Sequence, residues 1–216
     1  MLISLFTFGL MTRRNIIKSS SVALASVSFP GFALLEPVYN DNYYKEEQEI
    51  PTLSNPTDIY FYSEVDDSSI LQLQQSIRDM SNNETMNLHI HSNGGSATLG
   101  LFVADLMSMS DVCINTYVEG VAASAASLMA VSGKKRFMTK HSLNLMHQPS
   151  LNVGSAKYKL VQDEAYNLEL ITAYIVDVYA THSTMSKSVI EECLYNERYL
   201  TAEECLKYNL IDDILH

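Results

Sequence analysis

Basic side chains are scarce in this chain. It holds 14 Lys and Arg against 25 Asp and Glu, a formal charge of −11, and Lys134-Lys135-Arg136 is its only run of three basic residues. A surface that tracks phosphates needs a dense Lys/Arg stripe, so nucleic acid is excluded as an expected partner. Cysteine is sparse too. Cys113, Cys193 and Cys205 are odd in number and stand at no metal-ligand spacing, which favours reduced structural thiols over a disulfide framework or a metal site. No run is both long and apolar enough to read as a membrane span; Ser19 to Ala33 is short and rich in serine. Internal repeats and low-complexity tracts are also missing, which argues against a solenoid or a fibre.

Acidic residues are absent before Glu36, while Arg13, Arg14 and Lys18 precede the small-residue run. Thr12 to Lys18 looks like a twin-arginine export signal, and an acid-free leader also suits an organellar transit peptide. The other reading is an uncleaved extension with translation starting at Met11. A cytoplasmic or organelle-matrix location is expected. We therefore divide the chain into a targeting-type segment (1–35), a linker rich in proline and acid (36–57) and a folded domain (58–216). Apolar residues make up 47% of the chain, enough for one domain with a sizeable core.

Ile59-Tyr60-Phe61-Tyr62 reads as a strand. Asp66 to Ser69 offer caps for a helix with Ile70, Leu73 and Ile77 on one face. Met86, Leu88 and Ile90 alternate with polar residues as a half-buried strand should, and Asn93-Gly94-Gly95 breaks it before a helix through Leu99, Phe102, Val103 and Leu106. A strand over Val112 to Val118 is expected to end at Glu119-Gly120, followed by a buried helix from Ala122 to Val131. Leu143 and Leu145 mark another strand. The longest periodic stretch, 155–182, predicts a helix of roughly 40 Å, long enough to overhang so small a domain and pack on another subunit. Ser186 caps a short helix through Leu194, Ala202 to Tyr208 form another, and Leu210 to Leu215 close the chain as a strand. Strand then alternates with helix, so the fold class is α/β with parallel pairing.

Three strand ends carry reactive groups. At Gly94-Gly95 two residues without Cβ let backbone N–H groups approach a ligand, although a plain turn would look the same. Ser124 follows a strand and opens an apolar helix, where free N–H groups and the positive helix end favour a developing oxyanion. It is either a nucleophile or a simple helix cap; Ser127, one turn on, reads as structural. His147 ends a buried strand, and beside a serine and a glycine loop it reads as a general base.

These blocks carry a resemblance. Ile90-His91-Ser92-Asn93-Gly94-Gly95, Gly120-Val121-Ala122-Ala123-Ser124, Arg136-Phe137, Met146-His147-Gln148-Pro149 and Arg198 to Asp212 are together similar to the Clp protease proteolytic subunit family, in order over about 58–216. The resemblance implies a ClpP/crotonase-like spiral of βαβ units with a protruding handle helix at about 155–182. It implies two stacked heptameric rings that cleave unfolded polypeptides supplied by a Clp-class ATPase unfoldase. No cofactor is implied in the subunit itself, ATP being used by the partner, and no membrane role. Residue by residue, Ser124 matches the nucleophile, His147 the base, and Gly94 and Ala125 the two oxyanion N–H donors. Glu197 stands where the family has Asp. The neighbouring family Arg, which joins rings, is Asn196 here, which puts the double ring in doubt. Asn93 replaces a proline, Ala125 a methionine, and two residues are missing between Ser124 and His147.

An active serine endopeptidase is the leading expectation. The competitors are a catalytically impaired ClpP-like structural subunit, a crotonase-fold acyl-CoA enzyme, and a Ser/Lys peptidase using Lys134, Lys135 or Lys140.

Overall fold

The computed structural model describes residues 56–216 apart from 83, 152, 153 and 155. The expectations for 1–35, and for all but the end of the 36–57 linker, concern residues outside that range. Strand β1 (Thr57–Phe61) leads into helix α1 (Asp67–Arg78). The Asp66 carboxylate accepts the Ser69 N–H at 2.8 Å and the Ser69 hydroxyl accepts the Asp66 N–H at 3.1 Å, a reciprocal cap that fixes where the helix starts. Ile70, Leu73 and Ile77 are its buried residues, the face their spacing predicts. Strand β2 (Thr85–Ser92) buries Met86, Leu88 and Ile90 completely. Then follow α2 (Ala97–Met109), β3 (Cys113–Ala123), α3 (Ala125–Val131), β4 (Arg136–Thr139), β5 (Leu143–Leu145), α4 (Tyr158–His182), α5 (Lys187–Asn196), β6 (Tyr199–Thr201), α6 (Ala202–Lys207) and β7 (Asp213–Leu215).

The strands form one sheet in the order β1-β2-β3-β4-β7, parallel throughout, with β5 parallel to the far half of β3 and β6 antiparallel to β5. The expected α/β class with parallel crossovers is present, in the ClpP/crotonase-like layout. Several boundaries differ. Glu119-Gly120 does not end β3. Gly120 (φ 106°) is a bend inside it, where the strand leaves β4, paired at 116–118, and takes up β5, paired at 121–123. A Cβ at Gly120 would lie 2.5 Å from His91 Nδ1, so the bend needs glycine for space as well as angle. Helix α3 consequently starts at Ala125 rather than Ala122. The strand expected over Leu210–Leu215 is confined to Asp213–Leu215, because Leu210 N–H is spent on closing α6 through the Cys205 carbonyl.

Arg136 ties the sheet to its surroundings. Its guanidinium donates to Asp212 Oδ1 at 2.6 Å, to the Asn209 carbonyl at 2.9 Å and to the His182 carbonyl at the end of α4. Helix α4, described from Tyr158 rather than 155, buries only Ile175, Val176 and Tyr179. Tyr158, Leu160, Val161, Tyr166, Leu170 and Tyr174 are exposed along the rest of it. It is the protruding handle of the fold.

Candidate active site

Ser124 sits at the turn between β3 and α3 with φ 57° and ψ −126°. A non-glycine residue with positive φ costs on the order of 1–3 kcal/mol and persists only where its surroundings impose it. Here they do. Ser124 N–H donates to the Leu145 carbonyl of β5 at 2.9 Å, and its own carbonyl accepts from Ser127 N–H at 3.0 Å. Its side chain occupies the N-cap position of α3 but makes no capping hydrogen bond. The hydroxyl is therefore not consumed by the helix. This removes the simple-cap reading of that residue.

His147 lies two residues past the end of β5, half-buried. Ser124 and His147 line one small cavity together with Ala97, Ala125, Leu128, Pro149, Ile175 and Tyr179. Its volume is about 20 Å³, room for roughly one water molecule. Among the described residues no hydrogen bond joins the hydroxyl to the ring. Such bonds commonly shorten only once substrate is bound.

The glycine loop lies directly against the serine. A Cβ on Gly94 (φ 94°) would fall 2.5 Å from Ser124 Cβ and 3.1 Å from Ala125 N. The loop is held open by Val65, whose N–H donates to the Gly94 carbonyl at 2.8 Å and whose carbonyl accepts from Ser96 N–H at 2.8 Å. Gly94 N–H itself donates to Ser92 Oγ at 3.1 Å, while the adjacent Gly95 N–H has no hydrogen-bond partner among the described residues. Ala125 is the first residue of α3, so its N–H has no intrahelical acceptor.

Glu197 stands apart. It caps α5 in the left-handed conformation (φ 51°, ψ 37°), is exposed, and makes no hydrogen bond or ion pair among the described residues. The Gln148 N–H donates to the Leu194 carbonyl at 3.1 Å, which brings the end of α5 to the loop carrying His147, but Glu197 does not line the cavity.

Beneath the serine runs a buried polar chain. Tyr179 OH donates to Ser127 Oγ at 2.8 Å, and Ser127 Oγ donates to Asn144 Oδ1 at 2.8 Å. All three residues are nearly inaccessible. Burial drives the Tyr179 phenol upward, so it stays protonated as a donor at any ordinary pH. Sequence reading took Ser127 as structural and passed over the other two. The available signal was Asn144, a polar residue at the inward position of a three-residue apolar strand.

A largely parallel sheet of crotonase-like layout, a handle helix, and a hydroxyl and an imidazole lining one cavity at its strand ends define the class. Comparison with known proteins places the chain within it. Residues 44–216 match the Clp protease family. The chain is 34% identical over 131 residues to ATP-dependent Clp protease proteolytic subunit 1 of Chlamydia trachomatis, covering 58% of this chain and 67% of that protein. It is 29% identical over 162 residues to proteolytic subunit 4 of Streptomyces avermitilis, covering 73% and 72%. The chain belongs to the Clp protease family, and is by that membership a Clp-type protease subunit of the serine peptidase class.

Proposed function

We propose that this subunit is a serine endopeptidase that hydrolyses unfolded polypeptides by acyl transfer. One observation carries the reading: Ser124 is held at a strained turn with its hydroxyl uncommitted, in the same cavity as His147. His147 takes the Oγ proton as the oxygen attacks a peptide carbonyl, then gives it to the leaving amine; a water molecule repeats the cycle and frees the acid. Ala125 N–H supports the oxyanion, together with the glycine loop. Gly94 N–H can join only by leaving Ser92 Oγ; Gly95 N–H is the unbonded alternative one residue on. Each donor lowers the barrier by about 3 kcal/mol. Glu197 would orient His147 as the third member once its side chain swings inward.

In this reading the subunit needs no cofactor. It assembles into rings, its exposed handle meets another copy, and a Clp-class ATPase feeds it. The relatives above are named as ATP-dependent proteolytic subunits, which supports that partnership.

A second reading has its own observation. With Glu197 exposed and unpartnered, the subunit would occupy ring positions without cleaving. Peptide hydrolysis by wild type and by Ser124→Ala, measured on assembled protein, separates the two. Turnover lost with Ser124→Ala supports the endopeptidase. A wild type that assembles but never cleaves supports the structural subunit.

A further inference from the structure

The reading above explains the hydroxyl, the imidazole and the amides, and leaves the buried Tyr179–Ser127–Asn144 chain without a role. Its connections are specific. Asn144 is the middle residue of β5 and pairs with Ala122 of β3. The next residue of β5, Leu145, accepts the Ser124 N–H, and His147 follows two residues later. Ser127 sits one turn into α3, and its N–H holds the Ser124 carbonyl. Thus Ser127 grips Ser124 through the backbone and β5 through its side chain. Tyr179 completes the chain from α4 and also forms a wall of the cavity.

Two adjacent strand residues, Asn144 and Leu145, therefore set two ties to the nucleophile turn, and the base follows just beyond them. Packing alone would not need this. The Ser127 hydroxyl both accepts from Tyr179 and donates to Asn144, so neither neighbour can rotate without leaving a buried polar group unpaired. We propose that Tyr179, Ser127 and Asn144 are positioning residues that fix the register of the Ser124 turn against the strand bearing His147. The proposal rests on the serine-peptidase reading.

The discriminating variant is the triple replacement Ser127→Ala, Asn144→Leu, Tyr179→Phe. Removing all three polar groups together leaves none unpaired, so thermal stability should stay near that of wild type. Labelling of the assembled full-length protein by a fluorophosphonate then reads positioning directly, as a maximal inactivation rate and an apparent binding constant. The expected result is a maximal rate about tenfold lower with the binding constant unchanged, the size of effect that small misplacement of reacting groups produces. Tyr179→Phe alone, which keeps the ring, should give a smaller fall of the same kind and covers the case of a triple variant that does not fold. A wild-type rate in the folded triple variant, or in Tyr179→Phe if the triple does not fold, reduces the chain to packing and overturns the proposal. A wild type that never labels overturns the peptidase reading beneath it.

Discussion

Ser124 and Gly94 depend on each other sterically. The serine adopts a backbone angle that few side chains tolerate, and it does so against a glycine whose missing Cβ leaves the space. Gly94→Ala should therefore close the site from the opposite side. The new methyl would meet Ser124 Cβ at 2.5 Å and the Ala123 carbonyl at 2.6 Å, at a φ that itself disfavours alanine. We expect a stability loss of about 1–3 kcal/mol with loss of turnover, checked by thermal unfolding and peptide hydrolysis. An active, fully stable Gly94→Ala would show that the loop is not pressed on the serine. Glu197 makes a different prediction. Its left-handed backbone suits Asp at least as well as Glu, so Glu197→Asp should fold normally and keep or raise turnover. If it abolishes turnover in a working enzyme, the third residue lies elsewhere.

Arg136 joins β4, the end of α4 and the approach to β7, and it is nearly buried while Asp212 remains partly exposed. The guanidinium, by hydrogen bond and charge, holds the Asp212 carboxyl below its usual range. A carboxylate depressed on folding contributes stability that is present above its unfolded value, near pH 4, and is lost as pH falls through the folded value. Wild type should therefore lose stability below about pH 4 by more than Asp212→Asn does. Parallel acid-unfolding curves would contradict this. Arg136→Leu should lower stability by about 1–3 kcal/mol in thermal unfolding, since it strips donors from the Asn209 and His182 carbonyls as well as from the Asp212 carboxylate.

The elements with a clear period were legible in the sequence, and so was the site's outline. Alternation gave β2, three-and-four spacing gave α1 and α4, and the glycine, serine and histidine junctions were each placed at strand ends. What escaped was decided by tertiary pairing. β3 runs through Gly120 because β5 takes over from β4 there, and nothing local in Glu119-Gly120 announces a partner change. β4 and β6 are four and three residues long and carry too few alternations to show a period. The Tyr179–Ser127–Asn144 chain joins residues from three elements, so no spacing could reveal it.

The handle determines what the subunit can become. It presents Tyr158, Leu160, Val161, Tyr166, Leu170 and Tyr174 to solvent, and Tyr166, Leu170 and Tyr174, spaced by four, form one stripe that no part of the described chain covers. Exposed substitutions usually change stability by under about 0.5 kcal/mol, so Tyr166→Glu with Leu170→Glu should fold while disfavouring assembly. Native mass measurement should show a smaller oligomer than wild type at equal concentration. An unchanged mass would mean that this stripe is not an assembly surface.

Peptidase activity in this subunit depends on the Ser124 hydroxyl being a nucleophile served by His147. Intact-protein and peptide mass measurement after fluorophosphonate treatment of the assembled protein tests that most directly. One adduct per chain is expected, located on Ser124, and its loss in His147→Ala with the oligomer intact. An assembled wild type that carries no adduct, or carries it on another residue, would contradict it.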